Sequence, residues 1–451
     1  MILGPVSYLD CIVFCIFLAP QLILNVGLFE TVLTVLQTLP FLVFKLPTTF
    51  IYERYFLRKD EQPAFVQQAS AFEDFVIRCV RYAFANIPPK VGRVFFGKKV
   101  ALPWLRWRLL RHGYLTSPVY WREYQDKHFR GVWAICDPAQ RPDLIIYYAH
   151  GGGFSMGSPY FYLEFLLSWV SLLKRAGYKN PAVFGLDYTL VPDSSFPTQL
   201  NEMVSGYEHV LGMAGDDPSI VCVAGDSAGG TLVLSLLLHL ARPMPARKDR
   251  RLPGATRHLE KPGMAVLISP WPTLQSALYQ NNRSDFLDVP ALHLYAAQYA
   301  GRVDLVDDSI ASPGNCKDMV WLKEASPAKG LHVVYGKEEV FAPEIEEFVQ
   351  KLDEAGALVT SQGETGGIHA WPVASLFLSD TEDQRLKGLR SIVKEMRNRV
   401  PPSKNPLELG FFLTAVETAS GKRIALPVSS SMTALRKVNI NDAKALDGQP
   451  H

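Results

Sequence analysis

The sequence predicts an α/β fold in which a mostly parallel central sheet is flanked by helices. Two observations predict it. From residue 143 onward, short apolar runs alternate with longer helical segments, a pattern typical of parallel sheets. Two glycine-rich motifs, HGGGF at 150–154 and GDSAGG at 225–230, each directly follow such an apolar run. The chain before residue 143 is rich in apolar and aromatic residues and lies outside this alternation.

Length and composition limit the architecture and the partners. The 451 residues allow one large domain with extensions or two modest domains. A composition of 48% hydrophobic and 20% charged residues is that of a globular protein, and a net charge of +2 gives no reason to expect nucleic acid. The six cysteines are scattered without a CxxC, which favours buried free thiols over a disulfide framework or a metal cluster.

The N-terminus predicts a single-pass membrane anchor. Within residues 1–44 only Asp10 and Glu30 are charged, and residues 8–29 are long enough as a helix to cross a bilayer core of ~30 Å. Residues 31–46 continue apolar, but the single intervening residue is too short for a hairpin turn, so we expect an interfacial segment there. A cleaved signal peptide is the alternative; the missing basic n-region and the length of the run favour an anchor.

A proline and the flanking charges bear on the shape and the orientation of the anchor. Pro20 is expected to kink the spanning helix. Lys45, Arg54, Arg58 and Lys59 follow the apolar stretch, and the positive-inside rule would then place the rest of the chain in the cytosol.

Two segments of the next hundred residues predict helices. Apolar residues recur from Phe72 to Val80 at the spacing of one helix face. The segment 104–111 interleaves tryptophans and leucines with arginines, which suits a membrane-surface helix or, as we favour, a lid helix packed on the core.

The remaining elements follow from the alternation. We expect strands at 144–149, 182–188, 219–224, 264–269, 331–335 and 357–361, and helices at 160–176, 198–213, 229–240, 343–355 and 382–399. Residues 242–262 predict a solvated loop. The chain then divides into an anchor with its interfacial segment (1–46), a helical N-terminal cap (47–140), a catalytic domain (141–400) and a disordered tail (401–451).

Ser227, in the GDSAGG motif, is the candidate nucleophile. Glycines on both sides allow a strained turn from strand to helix that raises the hydroxyl above the sheet. The positive end of the following helix favours developing negative charge at this point.

The HGGGF loop is the candidate oxyanion hole. Its glycines permit close backbone approach, so the N–H groups of Gly152 and Gly153, together with that of Ala228, can bind one oxygen. We expect His150 to brace this loop beside Gly151 rather than to transfer protons.

His369 is the candidate general base. In a chain order of nucleophile, acid and histidine, the base lies late in the sequence, and His369 follows the last predicted strand on a glycine-bounded loop. His332 falls inside a predicted strand, His293 precedes any plausible acid loop, and His451 ends the tail.

The acid is expected on the loop after the strand at 331–335. Glu339 is favoured because an apolar pair follows it and would pack beneath the loop; Glu338 is the alternative. The carboxylate would orient the imidazole and stabilise its protonated form. The aspartates at 304, 307 and 308 are weaker candidates.

These motifs resemble the hormone-sensitive-lipase-like branch of the α/β-hydrolases, over roughly residues 141–398. The resemblance rests on HGGGF, the segment DYTLVP at 187–192, GDSAGG, LISPW at 267–271 and GIHAWP at 367–372. Within that branch the chain is similar to the fungal steryl acetyl hydrolases, which also have an N-terminal membrane anchor. The usual acid of the family is an aspartate, whereas this chain has glutamates in that loop.

The resemblance implies an α/β-hydrolase fold and hydrolysis of a carboxylic ester, with an endoplasmic-reticulum anchor and a lumenal catalytic domain. The flanking charges favour the cytosol instead, so the side of the membrane stays open. We therefore predict a membrane-anchored serine esterase that acts on a lipophilic ester, such as an acetylated sterol, with no metal or cofactor. The alternatives are an acyltransferase or amidase that uses the same acyl-enzyme, and a non-catalytic small-molecule-binding protein. The oligomeric state is not predicted.

Overall fold

The computed structural model describes residues 1–243 and 259–403, together with two short strands in the C-terminal segment. Most of the loop predicted at 242–262 and of the tail predicted beyond 401 lies outside the described residues. Within that tail, Ala415–Glu417 and Arg423–Ala425 pair as antiparallel strands, with Val416 opposite Ile424. The tail therefore contains a short ladder that its composition did not predict. Each strand has one β-branched residue, a type that favours strands.

The predicted sheet is confirmed as mostly parallel, with eight strands. In chain order they are β1 (Tyr120–Gln125), β2 (Arg130–Ile135), β3 (Leu144–Ala149), β4 (Pro181–Leu186), β5 (Val221–Asp226), β6 (Met264–Ile268), β7 (Leu331–Gly336) and β8 (Val359–Glu364). Their spatial order is β1-β2-β4-β3-β5-β6-β7-β8. The pairs β1/β2 and β2/β4 are antiparallel, and the five remaining pairs are parallel.

Strands β1 and β2 correct the prediction of a wholly helical cap over 47–140. β2 has five of its six residues buried, and it pairs with β4 along its length. β1 is the sheet edge and its residues are at most half-buried. The antiparallel edge was missed because β1 is amphipathic and charged, unlike the continuously apolar interior strands.

Helices cover both faces of the sheet. Before β1 lie α1 (Tyr8–Asn25), α2 (Leu28–Pro40), α3 (Leu46–Ile51), α4 (Ala64–Gln68), α5 (Ala71–Asn86), α6 (Pro89–Phe95) and α7 (Lys98–Arg111). After β3 lie α8 (Leu163–Arg175), α9 (Thr198–Met213), α10 (Ala228–Ala241), α11 (Val289–Ala300), α12 (Met319–Ala325), α13 (Ala342–Glu354), α14 (Trp371–Leu378) and α15 (Glu382–Arg399). The five helices predicted after residue 143 are confirmed with small shifts at their ends, whereas α11, α12 and α14 were not predicted.

The N-terminal apolar stretch is divided differently from the prediction of one span at 8–29 and an interfacial segment at 31–46. α1 continues through Pro20 and ends at Asn25, and the chain breaks at Gly27, whose φ of 101° favours glycine. A second helical segment then runs from Leu28 to Phe56 through two π-helical turns, Phe41–Lys45 and Tyr52–Phe56. By length and composition alone, both α1 and Leu28–Phe56 qualify as membrane spans.

Helices α5 and α7 form where the sequence predicted them. The most buried residues of α5 are Asp74, Ile77 and Arg78, rather than the apolar face that begins at Phe72. Asp74 and Arg78 can be buried because they pair with each other at 2.7 Å. On α7, Trp104 and the residues about one turn before and after it, Val100, Ala101 and Arg108, are buried, in keeping with a helix packed on the core.

The candidate site residues follow the carboxyl ends of the parallel strands. β3 is followed by the HGGGF loop, β5 by Ser227, β7 by the loop of Glu339, and β8 by the loop of His369. The register aligns these ends, because Ala149 pairs with Gly225 and Gly336 pairs with Glu364. Ligands of open α/β sheets bind at this edge.

Candidate active site

Ser227 occupies a strained turn between β5 and α10. Its φ of 52° and ψ of −122° place a non-glycine residue in a sparsely populated region, a kind of strain that clusters at functional sites. Its N–H donates to the Ile268 carbonyl at 3.1 Å. A Cβ on Gly225 would lie 2.5 Å from the Gly229 backbone, and one on Gly229 would lie 2.0 Å from the Ala149 carbonyl oxygen. The turn therefore requires both flanking glycines.

The glycine loop after β3 has a backbone that only glycine adopts readily at two positions. Gly152 and Gly153 have φ values of 110° and 59°. A Cβ at Gly152 would lie 2.2 Å from the Met156 carbonyl oxygen, and one at Gly153 would lie 2.7 Å from the Tyr295 ring. Within the described residues, the N–H groups of Gly152, Gly153 and Ala228 donate to no other protein group. These three donors are available to an oxygen of a bound substrate.

His150 lies where a bracing residue would. Its ring stacks on Tyr188 with centroids 4.3 Å apart, and its Nδ1 is 2.7 Å from the Gly151 carbonyl oxygen. The Tyr188 hydroxyl donates to the His150 carbonyl at 2.8 Å. Burial lowers the pKa of His150 to about 4, so the ring is neutral at physiological pH.

Asp226 supports the glycine loop, and sequence reasoning missed this contact. Its carboxylate accepts hydrogen bonds from the Gly151 N–H at 2.8 Å and from the hydroxyls of Tyr148 and Tyr162 at 2.6 and 2.7 Å. Burial raises the pKa of Asp226 to about 6 against these hydrogen bonds. The available signal was its position, since it is a carboxylate at the end of a buried strand and immediately before the candidate nucleophile.

Glu339 and His369, the candidate acid and base, lie next to each other. Glu339 Oε2 lies 3.8 Å from His369 Nδ1, and both side chains are buried. The same oxygen accepts from the Ser269 hydroxyl at 2.5 Å and from the Gly336 N–H at 3.1 Å. Among the described residues, His369 Nδ1 and Glu339 Oε1 have no hydrogen-bond partner. A small movement of either side chain would complete a hydrogen bond between them.

Burial governs the titration of this pair. It raises the pKa of Glu339 well above its ordinary value, and the nearby carboxylate of Asp285 raises it further. Burial lowers the pKa of His369 to about 3. The imidazole is therefore held neutral, which is the form that a general base requires.

The alternative acid, Glu338, lies differently. Its side chain is only half-buried, and its described hydrogen bonds are made by the backbone: its N–H donates to the Gly367 carbonyl, and its carbonyl accepts from Asn282. Of the weaker candidates, Asp304 pairs with Arg302 and Asp308 accepts from the backbone of Ile310 and Ala311. Of the two adjacent glutamates, Glu339 is the one beside the imidazole.

Ser269 and Asp285 join the loops of the site, and neither was predicted. The Ser269 hydroxyl donates to Glu339 and accepts from the Ala370 N–H at 2.9 Å. The Asp285 carboxylate accepts from the N–H groups of Phe286 at 2.8 Å, Val340 at 2.8 Å and His369 at 3.0 Å. Asp285 thus fixes the backbone of His369 and that of Val340, the residue after Glu339. No local motif marks Asp285, and the LISPW segment that contains Ser269 does not indicate its partners, which are distant in sequence.

Ser227 is connected to the other two residues through β6. Ser227 bonds to the last residue of that strand, and Ser269, the next residue, bonds to both the acid and the loop of the base. Within the described chain, the Ser227 hydroxyl is not hydrogen-bonded to the His369 ring. Catalytic hydrogen bonds are often long before substrate binds, so the absence of this bond does not rule out His369 as the base of Ser227.

The described residues contain no cluster of three or more metal-ligating side chains. All six cysteines are free thiols; Cys222 and Cys316 are buried as expected, but Cys15 on α1 is exposed, contrary to the prediction for that stretch.

Comparisons with known proteins concern the fold and the sequence as a whole. Residues 146–373 match the profile of the α/β hydrolase fold family. An acetyl-hydrolase of Streptomyces hygroscopicus is 30% identical over 238 residues, which cover 52% of this chain and 70% of the relative. A protein of Schizosaccharomyces pombe that is named for steryl acetyl hydrolase activity is 26% identical over 275 residues, covering 58% of this chain and 69% of the relative.

Solved structures show the same architecture. An esterase from the bacterial hormone-sensitive lipase family superposes with a TM-score of 0.56 at 22% identity, covering 73% of this chain and 99% of that chain. At this identity the likeness concerns the fold, which agrees with the mostly parallel sheet and its flanking helices.

Proposed function

Because the chain belongs to the α/β hydrolase fold family, in its hormone-sensitive-lipase-like branch, and is a carboxylic ester hydrolase, we propose that it is a serine esterase with Ser227 as nucleophile, His369 as general base and Glu339 as the acid. The observation that carries the proposal is the buried contact of 3.8 Å between Glu339 and His369 at the sheet edge where Ser227 occupies its strained turn.

Each step of the reaction has a group suited to it. Ser227 Oγ attacks the ester carbonyl while His369 takes its proton, and Glu339 stabilises the resulting imidazolium. The N–H groups of Gly152, Gly153 and Ala228 bind the oxyanion, and one such donor typically contributes about 3 kcal/mol to transition-state stabilisation. His369 then protonates the leaving alcohol, and water resolves the acyl-enzyme by the same route.

We propose a lipophilic ester, and an acetyl ester in particular, as the substrate. Two of the relatives are named for acetyl-ester hydrolysis, one of them on sterols. The exposed apolar side chains of residues 8–56 support a substrate that partitions into a membrane. We place the enzyme at a membrane, that of the endoplasmic reticulum by its similarity to the steryl acetyl hydrolases.

A series of p-nitrophenyl esters from acetate to decanoate, together with an acetylated sterol, tests the substrate class. We expect acetate esters to have the highest kcat/KM and the acetylated sterol to release acetate. The same reactions with a competing alcohol or amine distinguish hydrolysis from acyl transfer. Predominant transfer of the acetyl group to that competitor would contradict the proposal.

Asp285 is expected to position the acid and the base. Substitution Asp285→Ala leaves the buried N–H groups of Val340 and His369 without an acceptor, each at a cost of about 1–3 kcal/mol, and also frees the partly buried N–H of Phe286. We expect kcat to fall by roughly 10- to 100-fold and the melting temperature to drop. Removal of its charge also lowers the pKa of Glu339, so the acid limb of kcat/KM should move to lower pH.

Asp304→Ala is the matched control, because Asp304 is exposed and, among the described residues, pairs only with Arg302. It should leave the melting temperature, kcat and the pH profile unchanged. If Asp285→Ala lowers stability but leaves both kcat and the acid limb in place, Asp285 is a structural residue without a positioning role.

A further inference from the structure

The N-terminal apolar segment, residues 8–56, is fixed to the catalytic domain at its start by a buried ion cluster. Asp10, in the first turn of α1, lies 3.3 Å from the Arg108 guanidinium and 3.0 Å from that of Arg111. Arg108 is fully buried and also binds Glu164 of α8 at 2.8 Å. A buried charge of this kind is strongly destabilising when its partner is removed. The start of α1 is therefore held on the domain.

The second end is fixed by another cluster. Glu53, in the last turn of the second helical segment, binds Arg78 of α5 and Arg283 of the loop before α11, each at 2.8 Å. The neighbouring Arg54 donates to the Ala69 carbonyl at 2.8 Å. Both ends of the apolar segment thus lie on the same domain.

Contacts extend inward from each end. Phe14 packs on Phe95 of α6 and Trp104 of α7, with ring centroids 4.5 and 5.5 Å apart, and Leu18 packs on the same core. On the second segment, Phe41 stacks on Tyr82 of α5 at 4.0 Å, and the Tyr82 hydroxyl donates to the Gln37 carbonyl. Only residues 19–36 lie between these contacts; we call them the apolar tip.

The apolar tip is too short to cross a bilayer. Seven residues of α1 follow Leu18, and nine residues of α2 precede Gln37, which correspond to about 10 Å and 14 Å of helix. A bilayer core is about 30 Å thick, so each arm reaches across one leaflet at most. Residues that either helix would need in order to span a bilayer therefore contact the catalytic domain instead.

The apolar tip and its surroundings suit an anionic lipid surface. Leu24 and Phe29 are 76% and 77% exposed, and the only charged residue of the tip is Glu30. Between Asp74 and Glu123 the chain has no acidic residue, although it has many lysines and arginines, including the exposed Lys90, Lys99 and Arg106 of α6 and α7. An apolar insertion beside a basic surface is complementary to an anionic leaflet.

Helix α5 connects this surface to the candidate active site. One of its ends holds Phe41 through Tyr82, while Phe84 packs on Phe286 and Tyr295 at 6.3 and 5.6 Å. Phe286 in turn packs on His369 at 5.7 Å, and Tyr295 lies against the oxyanion loop at Gly153. Helix α5 therefore contacts both the segment that follows the apolar tip and the residues beside the catalytic loops.

We propose that the apolar tip inserts into one leaflet of an anionic membrane without crossing it. Both ends of the N-terminal segment and the catalytic domain then lie on the same side, and α5 borders the path from that leaflet to Ser227. The attachment itself does not depend on the proposed function; the delivery of a lipophilic ester along that path rests on it.

Flotation of the full chain with phosphatidylcholine and phosphatidylserine vesicles tests the attachment. The double variant Leu24→Glu, Phe29→Glu is expected to lose at least tenfold in bound fraction, because it places charges in the leaflet. Leu115→Glu, Val303→Glu is the matched control, since both residues are highly exposed and lie outside the segment. Both variants should hydrolyse soluble p-nitrophenyl acetate at the wild-type rate, and the tip variant should lose hydrolysis of esters embedded in vesicles.

Insertion into one leaflet and a full crossing are distinguished by a Phe29→Trp variant. Its added fluorescence should be quenched by lipids with brominated acyl chains and not by iodide trapped inside sealed vesicles. Quenching by the trapped iodide would show that the tip crosses the bilayer. Equal flotation of the tip variant and wild type, or wild-type protein that stays off vesicles as a dimer, would also overturn the proposal. Loss of soluble-ester hydrolysis in Ser227→Ala is a separate result that tests the esterase alone.

Discussion

Substitution Ser227→Ala is expected to reduce kcat for p-nitrophenyl acetate by about 10⁶-fold, the scale observed when a serine hydrolase loses its nucleophile. The change removes a single oxygen from a residue whose N–H anchors the turn, and alanine keeps that N–H bond to Ile268. The fold should survive, although alanine must also adopt the φ of 52°. KM should change little, because the oxyanion donors of the glycine loop remain.

Two further measurements make this result specific. A fluorophosphonate probe should label wild-type protein at Ser227 and leave the variant unlabelled. Ser219→Ala, at an exposed serine just before β5, should retain both labelling and turnover. A wild-type chain that resists the probe and releases no acetate would favour a small-molecule-binding protein on this fold. Undiminished turnover in Ser227→Ala would remove Ser227 from the mechanism.

Features that depend on local sequence could be predicted. The parallel sheet follows from buried strands that alternate with helices. The turn at Ser227 follows from glycines that no other residue can replace, because a Cβ there would overlap the neighbouring backbone. His369 followed from chain order and from its position on a glycine-bounded loop directly after the last predicted strand of the sheet. These inferences required no knowledge of which side chains meet across the fold.

Features that depend on distant contacts could not be predicted. Asp285 meets the His369 backbone across 84 positions of sequence, and Asp226 meets Gly151 across 75. In the N-terminal segment, hydropathy indicated apolar helices, but it carried no information about Arg108, which binds Asp10 from 98 positions away. That contact holds the start of α1 on the catalytic domain, which the length of the apolar run could not indicate.

Replacing Glu339, but not the adjacent Glu338, is expected to lower kcat strongly. Substitution Glu339→Gln should lower kcat by about 10³- to 10⁴-fold, as the loss of a triad carboxylate does in other serine hydrolases. Glutamine preserves the volume and can still accept from Ser269 and Gly336, but it cannot stabilise an imidazolium. Glu338→Gln is the matched control one residue away, with a half-buried side chain, and should remain within a few-fold of wild type.

The pH profile gives an independent test of the same pair. The proposed mechanism requires Glu339 to be ionised and His369 to be neutral. Burial and Asp285 raise the pKa of Glu339, so wild-type kcat/KM should fall as the pH drops through that raised value. Burial lowers the pKa of His369 to about 3, so the base stays neutral well below its usual range. In Glu339→Gln the carboxyl no longer titrates, and the acid limb of the residual activity should move to lower pH. An unchanged limb in this variant, or a shift in Glu338→Gln instead, would reassign the acid, because only the group that titrates beside the imidazole can set that limb.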